Sequence, residues 1–237
     1  MTESVRLAKR VAELASCSRG EAAQYIEGGW VWVDGEIVEE PGFRVHAQQK
    51  VELTPDAKLQ AVDPVTILLH KPAGIDAQAA QQLVTADTLF AEDRSGNRFL
   101  KRHIVDLIVT DPMEPKAGGL LVLTQDWRIK RKLIDDAARI EHEYVVEVTG
   151  ALKPDGLALL NLGLSFNGKP LPPIKVSWQS ENRLRFAIKA PPRGLITHMC
   201  EQVGLTVLSM KRIRVGRMPL AGLPEGQWRY LLGYERF

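Results

Sequence analysis

The chain has 237 residues, 45% apolar and 25% charged, a mix ordinary for a protein that buries a real core and a length beyond one minimal domain. No apolar run approaches the ~20 residues of a spanning helix, MTESVRLAKR lacks the apolar stretch of a secretory leader, and two cysteines, Cys17 and Cys200, are too few for a disulfide framework or a zinc site. The expectation is a cytoplasmic protein with reduced thiols and no membrane partner; the net charge of +2 names no partner by itself.

In chain order, Val5, Leu7, Ala8, Val11, Ala12 and Leu14 trace a 3.6-residue apolar face, predicting a first helix. Ser18 with Glu21 three residues later is a capping-box pair for a second helix, and Gly28-Gly29 is a natural stop. WVWVDGEIVEE reads as a hairpin turning at Asp34-Gly35, and RVHAQQKVEL as a further strand pair. TPDAKLQAVDP over 54–64 has two prolines and no apolar period, which marks a linker. Beyond it, 65–72, 119–126, 143–150, 174–190 and 206–216 read as strands or hairpins. Residues 128–140, 153–164 and 195–204 read as helices. Residues 1–59 hold 7 Lys and Arg against 10 Asp and Glu, and the basic excess lies later, at Arg128, Lys130, Arg131 and Lys132 and at Lys211, Arg212, Arg214 and Arg217. The pattern predicts an α+β protein: a small front domain over 1–55, a linker over 56–64 and a mixed, mostly antiparallel sheet with helices over 65–237.

Several stretches carry a family resemblance. Arg6-Leu7-Ala8-Lys9, Cys17-Ser18-Arg19 and Val31 to Gly35 resemble an S4 RNA-binding domain. ILLHKPAG (67–74), GLLVLTQD (119–126), HEYVVEV (142–148), MCEQVG (199–204), LSMKRIRVG (208–216) and LPEGQWR (223–229) resemble the RsuA-type branch of RNA pseudouridine synthases. The resemblance implies binding of structured RNA, ribosomal by analogy, by a monomer. It also implies isomerisation of a flipped-out uridine to pseudouridine without metal or cofactor. On the front domain, Arg6, Lys9 and Arg19 could contact phosphates, which position RNA without reading its bases.

The family's reaction depends on one aspartate five residues before the glycine of the GLL motif, acting as nucleophile or base. Counting back from Gly119 reaches Glu114, one methylene longer than the family residue. A reacting atom misplaced by ~1 Å can cost ~100-fold in rate. Asp111 and Asp106 are the nearby alternatives, and Asp111 requires three extra loop residues. The family arginine that pairs with the aspartate falls on Thr197, beside His198, and a threonine cannot hold a carboxylate as a guanidinium does. Tyr144 matches the family tyrosine that stacks on the base, and the lysine preceding it is here His142. Lys71 is expected beside the pocket, which Glu114, Tyr144 and Ile196-Thr197 are expected to line, with Lys211, Arg212 and Arg214 on or near the RNA-facing side.

Three functions follow as alternatives: a pseudouridine synthase using Glu114, a catalytically silent or impaired RNA-binding paralogue, and a protein-binding module favoured by the acidic front segment. The five histidines show no metal-ligand spacing. The chain contains no phosphate-binding glycine loop, dinucleotide fingerprint or nucleophile elbow.

Overall fold

The computed structural model describes residues 4–237. The chain forms two compact units, one of Met1–Pro64 with Arg98–Leu107, the other of Val65–Asn97 with Ile108–Phe237.

In the first unit, strand β1 (Ser4–Arg6) leads directly into helix α1 (Leu7–Ala15), followed by α2 (Arg19–Glu27), β2 (Val31–Val33), β3 (Glu36–Ile37), β4 (Arg44–His46) and β5 (Val51–Leu53). The first helix starts two residues later than its apolar face implies, because Ser4–Arg6 pair with β4. The strands expected to pair with each other both form, but β4 joins β1 while β5 joins β2. The capping box of α2 is complete: Ser18 Oγ accepts from Glu21 N at 3.2 Å, and Ser18 N donates to Glu21 Oε2 at 2.8 Å. The helix stops at Gly28-Gly29, whose carbonyls accept from Arg98 Nη2 at 2.8 and 2.7 Å. Arg98 also lies 5.5 Å from the Trp30 ring, so residues 98–107 belong to this unit by specific bonds and not by chain order. Leu7, Val11, Ile26, Val31 and Val45 form its core.

The second unit holds β6 (Thr66–Lys71), α3 (Ala77–Gln81), β7 (Ile108–Val109), β8 (Ala117–Thr124), α4 (Trp127–Lys130), β9 (Glu141–Gly150) and α5 (Gly156–Asn161). A two-residue hairpin, β10 (Ser165–Phe166) and β11 (Lys169–Pro170), precedes β12 (Lys175–Ser180), β13 (Arg183–Lys189), α6 (Leu195–Gln202), β14 (Leu205–Val215), β15 (Met218–Pro219) and β16 (Trp228–Tyr230). Nine strands form one sheet in the order β12-β13-β9-β14-β8-β6-β16, with β15 on β14 and β7 on β8. It is antiparallel except where β8 runs parallel to β14, a mixed, mostly antiparallel α+β architecture. Every residue of β6 and β8 is buried, which explains the continuous apolar runs Ile67–Leu69 and Leu120–Leu123, since strands covered on both faces lose the polar alternation. A core of Val146, Leu184, Phe186, Ile196 and Met199 fills the space between β9, β13 and α6.

The helix expected over 128–140 is broken into α4, a wide turn at Arg131–Asp135 and a tight turn at Ala137–Arg139. Acids at a helix C-terminus oppose its dipole, and Asp135-Asp136 lie inside the expected span, where the first helical turns give way. Both cysteines are free, and burial pushes the Cys200 thiol up to about 12. Among the described residues, no helix is long and apolar enough to cross a membrane.

Candidate active site

The candidate site of the second unit is assembled on β14, β8 and β9. Strand pairing sets Arg212 beside Gly119 on β8 and opposite Tyr144 on β9. The approach to β8 needs glycine: Gly119 has φ +109, and a Cβ there would overlap the Arg212 backbone. Tyr144 and His142 are two residues apart on β9 and so share a face, and their ring centroids are 6.4 Å apart. The loop between β7 and β8 then delivers Asp111 to the same face.

Arg212 is 1% exposed in its side chain and spends its guanidinium on three bonds. Nε donates to Leu120 O at 2.8 Å, Nη1 to Asp111 Oδ2 at 2.6 Å and Nη2 to Asp111 O at 3.0 Å. Asp111 remains 35% exposed, so one side of the pair is fixed and the other reaches open space. His142 Nδ1 lies 3.2 Å from the same Asp111 Oδ2. Burial, then the positive charge of Arg212, pushes the His142 imidazole down to about 4. Burial pushes the Tyr144 phenol up, against the opposing charge of Arg212. Asp111, Met113, Glu114, Tyr144, Arg193 and Ile196 are among the residues around a cleft of about 30 Å³.

The expected site residues separate into groups. Glu114 and Tyr144 do meet at this cleft, but Glu114 Oε1 accepts the Gly194 N–H at 2.6 Å. Gly194 is the residue before α6, so Glu114 ties the loop to the start of that helix. Thr197 lies half-buried on α6. Arg212, expected on or near the RNA-facing side, is buried and faces Asp111. Lys71, expected beside the pocket, is fully buried. Its Nζ donates to Pro72 O at 2.8 Å, Ile75 O at 2.6 Å and Pro115 O at 3.4 Å. Burial lowers its pKa, and its bonds brace the loop that carries Asp111. Arg214 is held by Glu141 and Glu143 at 2.7 and 2.6 Å; of the three β14 cations, Lys211 alone is exposed. His198 Nε2 lies 3.0 Å from Ser165 O, and Asp106 belongs to the first unit.

In that first unit, Arg6, Lys9 and Arg19 are exposed and line one groove of about 430 Å³. Arg44 lines it too and went unnoticed in the sequence, where it stands alone between Phe43 and Val45. A period-2 reading of β14 would have separated Arg212 from Lys211, since adjacent strand residues point to opposite faces. Among the described residues, no three His, Cys, Asp or Glu side chains are grouped to hold a metal ion.

An S4 domain family model matches residues 5–51. The ribosomal large subunit pseudouridine synthase B of Bacillus subtilis is 26% identical over 97% of this chain and 93% of its own. Along nearly its whole length the chain is similar to the RsuA-type pseudouridine synthases. Two further relatives of that family are the dual-specificity RNA pseudouridine synthase RluF of Escherichia coli K12, 27% identical over 98% of this chain and 77% of its own, and the ribosomal small subunit pseudouridine synthase A of Pseudomonas aeruginosa, 28% identical over 98% of both. A crystal structure of a pseudouridylate synthase shares the fold, with TM-score 0.59 and 19% identity over 96% of each chain.

Proposed function

We propose that the protein is a cytoplasmic, monomeric enzyme that binds structured ribosomal RNA and isomerises one uridine to pseudouridine, with Asp111 as its reactive carboxylate. The observation that carries this reading is the Asp111–Arg212 pair at the cleft of Tyr144. Arg212 takes the role of the cation that Thr197 lacks, and Asp111 is open to the cleft, whereas the Glu114 carboxylate is tied to the Gly194 N–H. A silent paralogue would have no need of a buried arginine holding a half-open aspartate.

The reaction breaks the N1–C1′ bond and forms a C5–C1′ bond; C5 gives up its proton and N1 gains one. Asp111 acts on the flipped nucleotide as nucleophile or base, and Tyr144 packs against the base. Arg212 holds the carboxylate in place before the reaction begins, so that little reorganisation remains. A cleft of about 30 Å³ has room for about one water, so entry of a uracil ring requires its walls to part. Arg193, exposed at the rim, can move at small cost. Away from the cleft, Arg6, Lys9, Arg19 and Arg44 contact phosphates and make affinity fall with salt.

The test is tritium release from ribosomal RNA fragments labelled at uridine C5. Asp111→Asn is expected to reduce the rate by about 1,000-fold or more, the scale of losing a reacting group. Glu114→Gln should stay within about tenfold of the native protein, since the amide oxygen of glutamine can still accept the Gly194 N–H. The reverse ranking would return the chemistry to Glu114. Salt-dependent RNA binding without tritium release would make the protein a binding paralogue.

A further inference from the structure

His142 is a buried side chain that the chemistry above does not use. Its Nδ1 makes no hydrogen bond among the described residues, although it lies 3.2 Å from Asp111 Oδ2. A buried polar atom left without a partner destabilises the fold, so a working site would be expected to use it. Facing a carboxylate, a bare Nδ1 would set two acceptors against each other, whereas Nδ1–H attracts it.

The surroundings decide whether the ring carries one proton or two. From β14, Arg212 and Arg214 both oppose a second proton, as does burial; Asp111 alone among the facing groups favours it. On its own strand, Glu141 and Glu143 are engaged by Arg214, and Glu143 also by Arg185. Its cross-strand partners, Ile188 on β13 and Val215 on β14, are apolar, and Lys189 beside Ile188 is exposed. The ring is neutral at pH 7, with a single proton to place.

We propose that His142, as its Nδ1–H tautomer, is a positioning residue that gives Asp111 a second, uncharged donor beside Arg212. The inference rests on Asp111 being the reactive carboxylate. A small turn of that carboxylate brings the 3.2 Å contact into hydrogen-bond alignment and fixes its aim into the cleft. An uncharged donor suits the task. A second cation would bind the resting carboxylate tightly, and attraction that is stronger in the ground state than in the transition state slows the reaction.

The first measurement is ¹⁵N NMR of the native protein labelled at histidine. Nδ1 is expected to carry the proton and Nε2 to be bare from pH 8 down to about 5. In Asp111→Asn the remaining proton-favouring charge is gone, so the His142 pKa should fall further. The second is kinetic. His142→Phe keeps the ring and removes the donor, and kcat should fall about tenfold with KM unchanged. His142→Asn, whose amide N–H can take the place of Nδ1–H, should recover most of that loss. An Nε2–H tautomer, a protonated ring at pH 7, or a Phe variant as fast as the native protein would overturn the inference. Should the Phe variant fail to fold, the tautomer in the native protein decides. A native protein that releases no tritium overturns the proposed chemistry instead, and in it the tautomer still shows whether His142 holds Asp111.

Discussion

Arg212 and Arg214 stand two residues apart on β14, and in a regular strand they would share a face. Here Arg212 pairs across the sheet with Tyr144 and Arg214 with Glu143, adjacent β9 residues that point to opposite faces. The register shifts between the two arginines, a bulge that re-aims a side chain by inserting one residue. Their partners differ as much as their directions. Arg214 joins Arg185 on two carboxylates, Glu141 and Glu143, in a network in which every member has a counter-charge. Arg212 has one carboxylate, Asp111, on a loop and open to the cleft. A saturated network leaves no carboxylate free, whereas a single buried cation leaves the accessible side of Asp111 open, as the proposed chemistry requires.

The sharpest way to break this contrast is to swap each arginine for lysine. An ammonium can follow Asp111, but it cannot also reach Leu120 O and Asp111 O in the fixed fork of a guanidinium. Arg212→Lys should lower the tritium-release rate by about 100-fold, comparable to losing one preorganised donor. Arg214→Lys should change it by less than about threefold. Equal losses would mean that both arginines serve the site, or that neither does.

The same bulge marks where the sequence stopped being readable. Apolar runs located β6, β8, β9 and the β12–β13 hairpin, because burial imprints itself on composition along the strand. Ser18 and Glu21 announced α2, because a capping box is satisfied within four residues. Lys-Arg-Ile-Arg at 211–214 announced only charge. Which of these cations is buried depends on the pairing of β14 with β8 and β9 and on one extra residue in the register, and neither lies within the segment. The count back from Gly119 reached Glu114 by local spacing alone, whereas Asp111 meets Arg212 across 101 residues of chain, a pairing that no local spacing shows. Lys71 carried a similar ambiguity: its charge suggested RNA, while the carbonyls it braces are contributed by two loops.

Acid separates the two regions as well. His142 is held neutral by the fold, with its pKa pushed down to about 4 from 6.5. The unfolded chain therefore binds an extra proton between those values, and stability that is full above pH 6.5 is lost as pH falls toward 4. The loss attributable to His142 is on the order of 3 kcal/mol. Glu143 is shifted the other way in charge, its pKa lowered chiefly by its bond to Arg214; its contribution is present above 4.5 and lost only below it. Burial also lowers His70 and His103, so the informative quantity is a difference between proteins. The urea-unfolding difference between native protein and His142→Asn should change between pH 6.5 and 4, and that between native and Glu143→Gln should hold above 4.5 and shrink only below it. Changes of both differences in one window would erase the distinction.

The smallest effect tests whether the outward network is a network at all. The Arg185 side chain is half exposed, and Glu143 keeps Arg214 when Arg185 is removed. Arg185→Ala should therefore cost less than about 1 kcal/mol in urea unfolding, as exposed ion pairs do, and leave turnover unchanged. In an Arg214→Ala background the same change strips Glu143, 11% exposed, of its last cation. The cost should then grow by about 0.5 kcal/mol or more, the coupling expected of residues that share a partner. Simple additivity would reduce these contacts to independent surface pairs, and the difference between the two faces of β14 would then be one of burial alone.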